Sequence, residues 1–260
     1  MRPRPQVLLS AHRCGAGGDK ELENTRVALD RALALGVEYV EFDVHRCADG
    51  ELVLFHDDWI TVEGQKTWLR EATSEQFAAY APHAMRYDEV LEALDGRAHA
   101  HIDLKFSSPG GVHEVAAVRR AVEVLGVERI VVTTLDDRSV RAVREWSDAE
   151  GLPVLAGLSL GRRVRGLPLR AAVRIRLSEL FPRLRYRASL ANVMVANHTL
   201  ARYGVARFAR KRNLPLLVWT IDTEKSLHYW LKPGRAWLVT TNHPDLALEV
   251  RDRRAARLRA

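Results

Sequence analysis

Short runs of apolar, often β-branched residues alternate along the chain with stretches whose apolar positions recur every three to four residues. The short runs read as strands at 7–11, 38–45, 98–105, 129–134, 153–158, 192–196, 216–220 and 236–240. The periodic stretches read as helices at 23–35, 112–125, 138–150, 200–212, 223–231 and 245–259, the first ended by Gly36. Asp49-Gly50 marks a turn after the second strand, and 52–55 returns as an extra hairpin strand. Residues 58–86, with Gly64, Pro82 and scattered charge, leave the alternation as a small insertion, and after 88–94 the rhythm resumes. Eight strand–helix units in a chain of 260 residues are the grammar of a (β/α)8 TIM barrel with a small hairpin and insertion after strand 2, read here as one domain over 1–260.

A barrel of this kind gathers its chemistry at the C-terminal ends of its strands. His12-Arg13 follows the first strand, Glu41 and Asp43 end the second, Asp103 and Lys105 end the third, and Trp219 ends the seventh. Tyr39, Glu41 and Asp43 alternate with Val40, Phe42 and Val44, so the two carboxylates share one strand face, where they can hold a hard cation. The returning hairpin strand delivers His56-Asp57 to the same end.

Composition narrows the class. With 47% hydrophobic residues and no low-complexity tract, the chain can bury a substantial core. A formal net charge of +7 favours an anionic partner, but no interleaving of aromatic and basic residues points to nucleic acid. Residues 1–10 carry arginines and an apolar run of only three, Val7 to Leu9, which fits neither a signal-peptide core nor a membrane span. A cytoplasmic location is therefore expected. Two cysteines, Cys14 and Cys47, are too few for a disulfide scaffold and have no metal-binding spacing, so free thiols are expected. Nothing in the sequence marks a subunit interface.

The segment 162–187 stands apart, with nine arginines against one acid, Glu179. Within it Leu169, Ala172, Val173, Leu177, Leu180 and Phe181 follow helical spacing, with Arg170 and Arg174 on the other side. The favoured reading is an ordinary barrel helix whose stripe packs on the sheet while its arginines stay in water. The competing reading is an interfacial helix that gives peripheral contact with an anionic membrane, at its inner face.

Taken in order, His12-Arg13, Glu23-Asn24-Thr25, Gly36, Glu41-Phe42-Asp43, Asp49-Gly50, His56-Asp57, Asp103-Leu104-Lys105, Val218-Trp219-Thr220 and the turn from Thr240 to Asp245 resemble the glycerophosphodiester phosphodiesterase family. The resemblance spans almost the whole chain and implies a (β/α)8 barrel, in agreement with the strand count. It implies metal-dependent hydrolysis of a small-molecule glycerophosphodiester to sn-glycerol 3-phosphate and an alcohol. By the same resemblance Glu41, Asp43 and Asp103 would hold a divalent cation, Ca2+ or Mg2+. His12 and His56 would be general base and general acid, Arg13 and Lys105 would hold the phosphate, and Trp219 would line the glycerol side.

The chemistry of a phosphodiester asks for such a set. Its anionic oxygens repel a nucleophile and its alkoxide leaves poorly, so hydrolysis needs charge neutralisation and proton transfer at both ends. Two imidazoles, with an ordinary pKa of about 6.5, can be one neutral and one charged near neutral pH. The attacking oxygen is that of water or of the substrate's own neighbouring glycerol hydroxyl. Two residues depart from the family pattern: Cys14 stands where glycine is usual, crowding the phosphate or turning aside, and Asp103 replaces the usual glutamate with a shorter reach. Asn24 is a candidate cap for the following helix, and Glu23 a candidate partner for His12 or Arg13. The other eight histidines read as structural, His101 lying nearest the site on the strand face of Asp103. Two alternatives remain: a lysophospholipase D-like enzyme acting on lipid-borne diesters, and a non-catalytic phosphate- or lipid-binding barrel.

Overall fold

The computed structural model describes residues 6–162 and 164–259. The opening residues 1–5 and Arg163, which belong to readings made from the sequence, lie outside the described residues. The first half of the chain runs β1 (Leu8–Ala11), α1 (Arg26–Leu35), β2 (Tyr39–Arg46), β3 (Leu52–Leu54), β4 (Trp59–Val62), β5 (Gln65–Trp68), α2 (Ser74–Tyr80), α3 (Tyr87–Leu94), β6 (His99–Leu104), α4 (Val112–Leu125), β7 (Ile130–Thr134) and α5 (Asp137–Ala149). The second half runs β8 (Leu155–Leu160), α6 (Leu169–Leu180), α7 (Arg183–Ser189), β9 (Val193–Asn197), α8 (His198–Leu200), α9 (Ala206–Arg210), β10 (Leu216–Trp219), α10 (Glu224–Trp230), β11 (Leu238–Thr241) and α11 (Pro244–Arg259).

Eight parallel strands, β1, β2 and β6 to β11, close on themselves as a (β/α)8 barrel. Closure comes where β1 pairs with β11, Leu8 opposite Leu238 and Ala11 opposite Thr241, while Ser10 and Ala11 of β1 also meet β2. Outward-facing Leu9, Val40, Phe42, Ile102 and Val218 are buried under the helices in one continuous core. Inward-facing Tyr39, Val131, Val193, Val195, Leu217 and Leu238 fill the lower barrel as a separate apolar floor. Gly157 is required there, since a Cβ on it would come within 2.5 Å of Val195 Cγ2.

Several boundaries move for physical reasons. The first helix begins at Arg26, with Thr25 as its cap accepting from Ala28 N–H. Asn24 is not the cap: it sits in the left-handed region at φ 60 and sends its side chain to Asp43. The fifth barrel strand begins at Leu155 instead of 153, because Pro153 has no N–H to give the ladder. Residues 58–86 form the expected excursion. It holds the β4–β5 hairpin, turned by Glu63 and Gly64 at positive φ, and α2, which Thr73 and Gln76 close with a capping box. The Lys66 ammonium lies 4.7 Å from the ring centroids of both Trp59 and Trp68.

The segment 162–187 does fold largely as helix, but the favoured reading of its stripe does not hold. Leu169, Val173, Leu177 and Phe181 are exposed, Leu169 by 79% and Phe181 by 73%, while Ala172 and Leu180 are half-buried and Leu180 packs against the core. The residue turned inward is the lone acid, Glu179, which is fully buried and accepts hydrogen bonds from the backbone N–H groups of Gly161 and Arg162 and from Arg176. A carboxylate with three donors waiting at the barrel rim fixes the helix that way round. No helix among the described residues is long and apolar enough to cross a membrane.

Candidate active site

At the C-terminal end of the barrel lies a cavity of about 310 Å3. His12, Arg13, Glu41, Asp43, His56, Asp103, Lys105 and Trp219 all line it, together with His101, Thr133, Ser159, Gly161, Arg162 and Thr240. The sequence-derived candidates thus come to one place.

Strand register does much of the positioning. On β2 the pleat turns Glu41 and Asp43 inward, and β6 pairs so that Glu41 stands opposite His101 and Asp43 opposite Asp103. One carboxylate oxygen from each of Glu41, Asp43 and Asp103 then lies within 4.8 Å of the others. Lys105 Nζ sits 2.9 Å from Asp43 Oδ1 and also donates to Asp103, and Thr133 Oγ1 donates to Asp103 Oδ1 at 2.8 Å. Arg13 donates from Nη1 to Glu23 Oε1 at 2.6 Å, while its Nε lies 3.4 Å from Asp43 Oδ2 and its backbone N–H donates to Glu41 Oε2 at 2.7 Å.

The charges in this cluster do not balance. Burial, with Asp43 and Asp103 close by, pushes Glu41 well above the usual carboxylate range. Burial pushes Asp43 the same way, but Lys105 and Arg13 outweigh it and hold Asp43 well below that range. Against its own burial, Lys105 is held above the ordinary amine range by Asp103 and Asp43. Three carboxylates therefore face one ammonium and a guanidinium already committed to Glu23. The shortfall of positive charge shows at Glu41, and an all-oxygen donor set of this kind fits a hard divalent cation.

Both candidate histidines are oriented through Nδ1. His12 Nδ1 lies 2.7 Å from Asn242 Oδ1. Asn242 in turn gives its side-chain Nδ2 to Asp222 Oδ2 and its backbone N–H to Asp222 Oδ1, each at 2.9 Å. A carboxylate only accepts, so the amide nitrogen must face Asp222 and the amide oxygen must face His12. His12 then carries its proton on Nδ1 and keeps a lone pair on Nε2. Burial, then the charge of Arg13, lowers its pKa below the ordinary value, which keeps the ring neutral. His56 Nδ1 meets Asp57 Oδ1 at 2.8 Å, leaving its Nε2 free.

The turn after β1 is backbone-strained, with Arg13 and Cys14 both left-handed at φ 48 and 62. The question raised by Cys14 is answered by its burial: it has 0% exposure, packs in the outer core and does not line the cavity. Gly15 beside it passes so close to α1 that a Cβ would come within 2.8 Å of Ala32 Cβ. On the far wall Gly161 (φ 126) leaves room for the Trp219 indole, whose Cζ2 would be 3.1 Å from a Cβ there.

The model of the glycerophosphoryl diester phosphodiesterase family matches residues 12–246. The chain belongs to this family. It is accordingly a glycerophosphodiester phosphodiesterase, a hydrolase. The Bacillus subtilis (strain 168) protein YhdW is 24% identical over 257 residues, covering 94% of this chain and 97% of that one. A Silicibacter pomeroyi crystal structure shares the fold with a TM-score of 0.74 at 19% identity, covering 96% of this chain and 95% of that one. An Oleispira antarctica phosphodiesterase, solved in complex with the product sn-glycerol-3-phosphate, gives a TM-score of 0.66 at 15% identity over 96% of this chain and 97% of its own.

Two positions in this phosphodiesterase, Asn242 and Asp222, escaped the sequence reading, while Asn24 takes a role other than the expected cap and His101 is the structural histidine expected beside the site. Asn242 and Asp222 orient His12. Asn24 grips Asp43, donating from Nδ2 to Oδ2 at 3.2 Å and accepting from the Asp43 N–H. His101 forms the polar layer above the floor, within hydrogen-bond reach of Ser10 and Thr133, and burial pushes it down to about 4, so it is neutral. The available signal was placement alone: polar residues just past β10 and β11 fall at the mouth of any such barrel. Glu23 does what was expected of it by engaging Arg13.

Proposed function

We propose that this phosphodiesterase hydrolyses glycerophosphodiesters to sn-glycerol 3-phosphate and an alcohol, using a divalent cation, Ca2+ or Mg2+, held by Glu41, Asp43 and Asp103. The observation that carries the reading is the pairing, in one cavity, of a charge-deficient carboxylate cluster with two histidines whose Nδ1 atoms are both engaged. When bound, the cation would supply Lewis-acid neutralisation of the diester's negative charge. The protein groups divide the remaining work. Arg13 and Lys105 attract the phosphate oxygens, Arg13 being braced by Glu23. His12 Nε2 takes the proton from the attacking oxygen as its bond to phosphorus forms. His56 gives a proton to the alcohol oxygen as the second phosphorus–oxygen bond breaks, so no free alkoxide is released. Trp219 offers an apolar wall to the glycerol carbons.

The test is release of sn-glycerol 3-phosphate from glycerophosphocholine with Ca2+, with Mg2+ and with EDTA, beside His12→Ala and His56→Ala. Turnover that survives EDTA sinks the metal, and turnover that survives either mutation sinks that histidine's role. The exposed face of α6 favours a second reading within the same chemistry, a lysophospholipid as the diester. It is judged by the ratio of kcat/KM values on lysophosphatidylcholine and glycerophosphocholine.

A further inference from the structure

The exposed stripe of α6 has the form of a docking surface, and the inference drawn from it goes beyond the reaction proposed for the site. Leu169, Val173, Leu177 and Phe181 stand four residues apart, one row along the helix, and all face outward. At its Phe181 end the row meets Tyr203, which is 76% exposed. Phe181 and Tyr203 share a shallow groove with Arg207, Lys211 and Arg212. A single exposed leucine would need no explanation, but an apolar row with an aromatic end does.

Charge decides what covers it. Arg165, Arg170, Arg174, Arg183 and Arg187 are exposed and make no ion pair among the described residues. The segment's only acid, Glu179, points the other way: it lies two residues beyond Leu177, about 200° round the helix, and is fully buried. A second copy of this chain would not match this face, because it would bring the same arginines against these. A sheet of anionic headgroups over an apolar interior matches both components, the arginines with phosphate and the leucine row with acyl carbon.

We propose that α6 docks on the surface of an anionic phospholipid bilayer. The docking has a defined relation to the catalytic cavity. Glu179 accepts from the backbone N–H groups of Gly161 and Arg162 at 2.9 and 2.7 Å, and both residues line that cavity. The helix that meets the bilayer is therefore pinned by its buried acid to the rim of the barrel mouth, and docking brings the mouth to the headgroup layer.

The experiment is vesicle co-sedimentation with phosphatidylcholine alone and with phosphatidylcholine containing phosphatidylglycerol, at low and high salt. It compares the wild type with Arg170→Ala/Arg174→Ala and with Leu169→Ser/Leu177→Ser/Phe181→Ser. These side chains are exposed and outside the catalytic site, and the circular dichroism spectrum with its thermal midpoint reports that each variant is folded, whatever its binding or turnover. The expected result is binding to the anionic vesicles only, weakened by salt, about 30-fold weaker for the arginine pair and lost for the apolar triple. Wild type that ignores anionic vesicles, or variants that bind as it does, would overturn the proposal. So would a wild-type dimer in sedimentation velocity that the apolar triple converts to monomer without any vesicle binding, since a second copy would then be the occupant. Binding is read without turnover, so failure of the proposed reaction and failure of docking are separate results.

Discussion

Asp222→Asn is expected to slow the enzyme by about two orders of magnitude while leaving the fold in place. Asp222 touches no candidate substrate-binding group; it acts through Asn242, holding that amide so that its oxygen faces His12 Nδ1. Asparagine at 222 is isosteric but presents an NH2 where one carboxylate oxygen stood, and two amide nitrogens cannot face one another. Asn242 relieves the clash by flipping, which turns its NH2 toward His12. The imidazole must then accept at Nδ1 and carry its proton on Nε2, where it cannot act as a base. A hydrogen bond worth about 1 to 1.5 kcal/mol changes from favouring one tautomer to favouring the other. The swing of about 2 to 3 kcal/mol corresponds to roughly 30- to 150-fold in the active form. Loss of an outer partner that orients a histidine typically has effects of about 10- to 100-fold. The assay is kcat for release of sn-glycerol 3-phosphate, with 15N chemical shifts of the His12 ring reporting the tautomer directly. The double variant Asp222→Asn/Asn242→Asp should recover most of the loss, because the amide now at position 222 can donate to the carboxylate now at position 242, and that carboxylate can accept from His12. A single variant within threefold of wild type, or a double variant no better than the single, would refute the relay.

Three other outcomes follow from the same geometry. Addition of Ca2+ or Mg2+ should raise the thermal midpoint, by the equivalent of about 2.7 kcal/mol when the ion is at one hundred times its Kd, and Asp43→Asn should abolish the rise; a midpoint indifferent to both ions would contradict the carboxylate site. Gly157→Ala should cost about 1 to 3 kcal/mol in urea denaturation, because its Cβ meets Val195 Cγ2 at 2.5 Å, and adding Val195→Ala should recover part of it. Burial depresses His45 and His101 to about 4, so the unfolded chain binds more protons than the folded one between that value and about 6.5. Stability in EDTA is accordingly full above about pH 6.5 and falls as pH drops toward 4; His101→Gln should flatten this fall, and an unchanged acid profile would argue against the buried neutral ring.

Much of the site was legible because it is local. Glu41 and Asp43 announce a shared face by their spacing of two, and His12 and Lys105 by their place just after or at the end of an apolar run. The partner of His12 could not be read this way, since Asn242 lies 230 residues along the chain and meets it only because β1 and β11 close the barrel. Asn24 misled for a related reason: its type suits a helix cap, and only the approach of Asp43 diverts it. The direction of α6 was ambiguous because periodicity shows that a helix has an apolar side without saying which way it turns. The signal that decides it was a single residue, the one acid among nine arginines, which goes inward.

The apolar floor has a consequence for traffic. Tyr39, Val131, Val193, Leu217 and Leu238 seal the barrel below the polar layer, so the catalytic chamber is a cul-de-sac with one door. Arrivals and departures share it, and the phosphorylated product must clear the passage before the next diester can enter. Inhibition by that product is therefore competitive by construction, and whatever crowds the doorway, a headgroup surface included, governs the exit as much as the entrance.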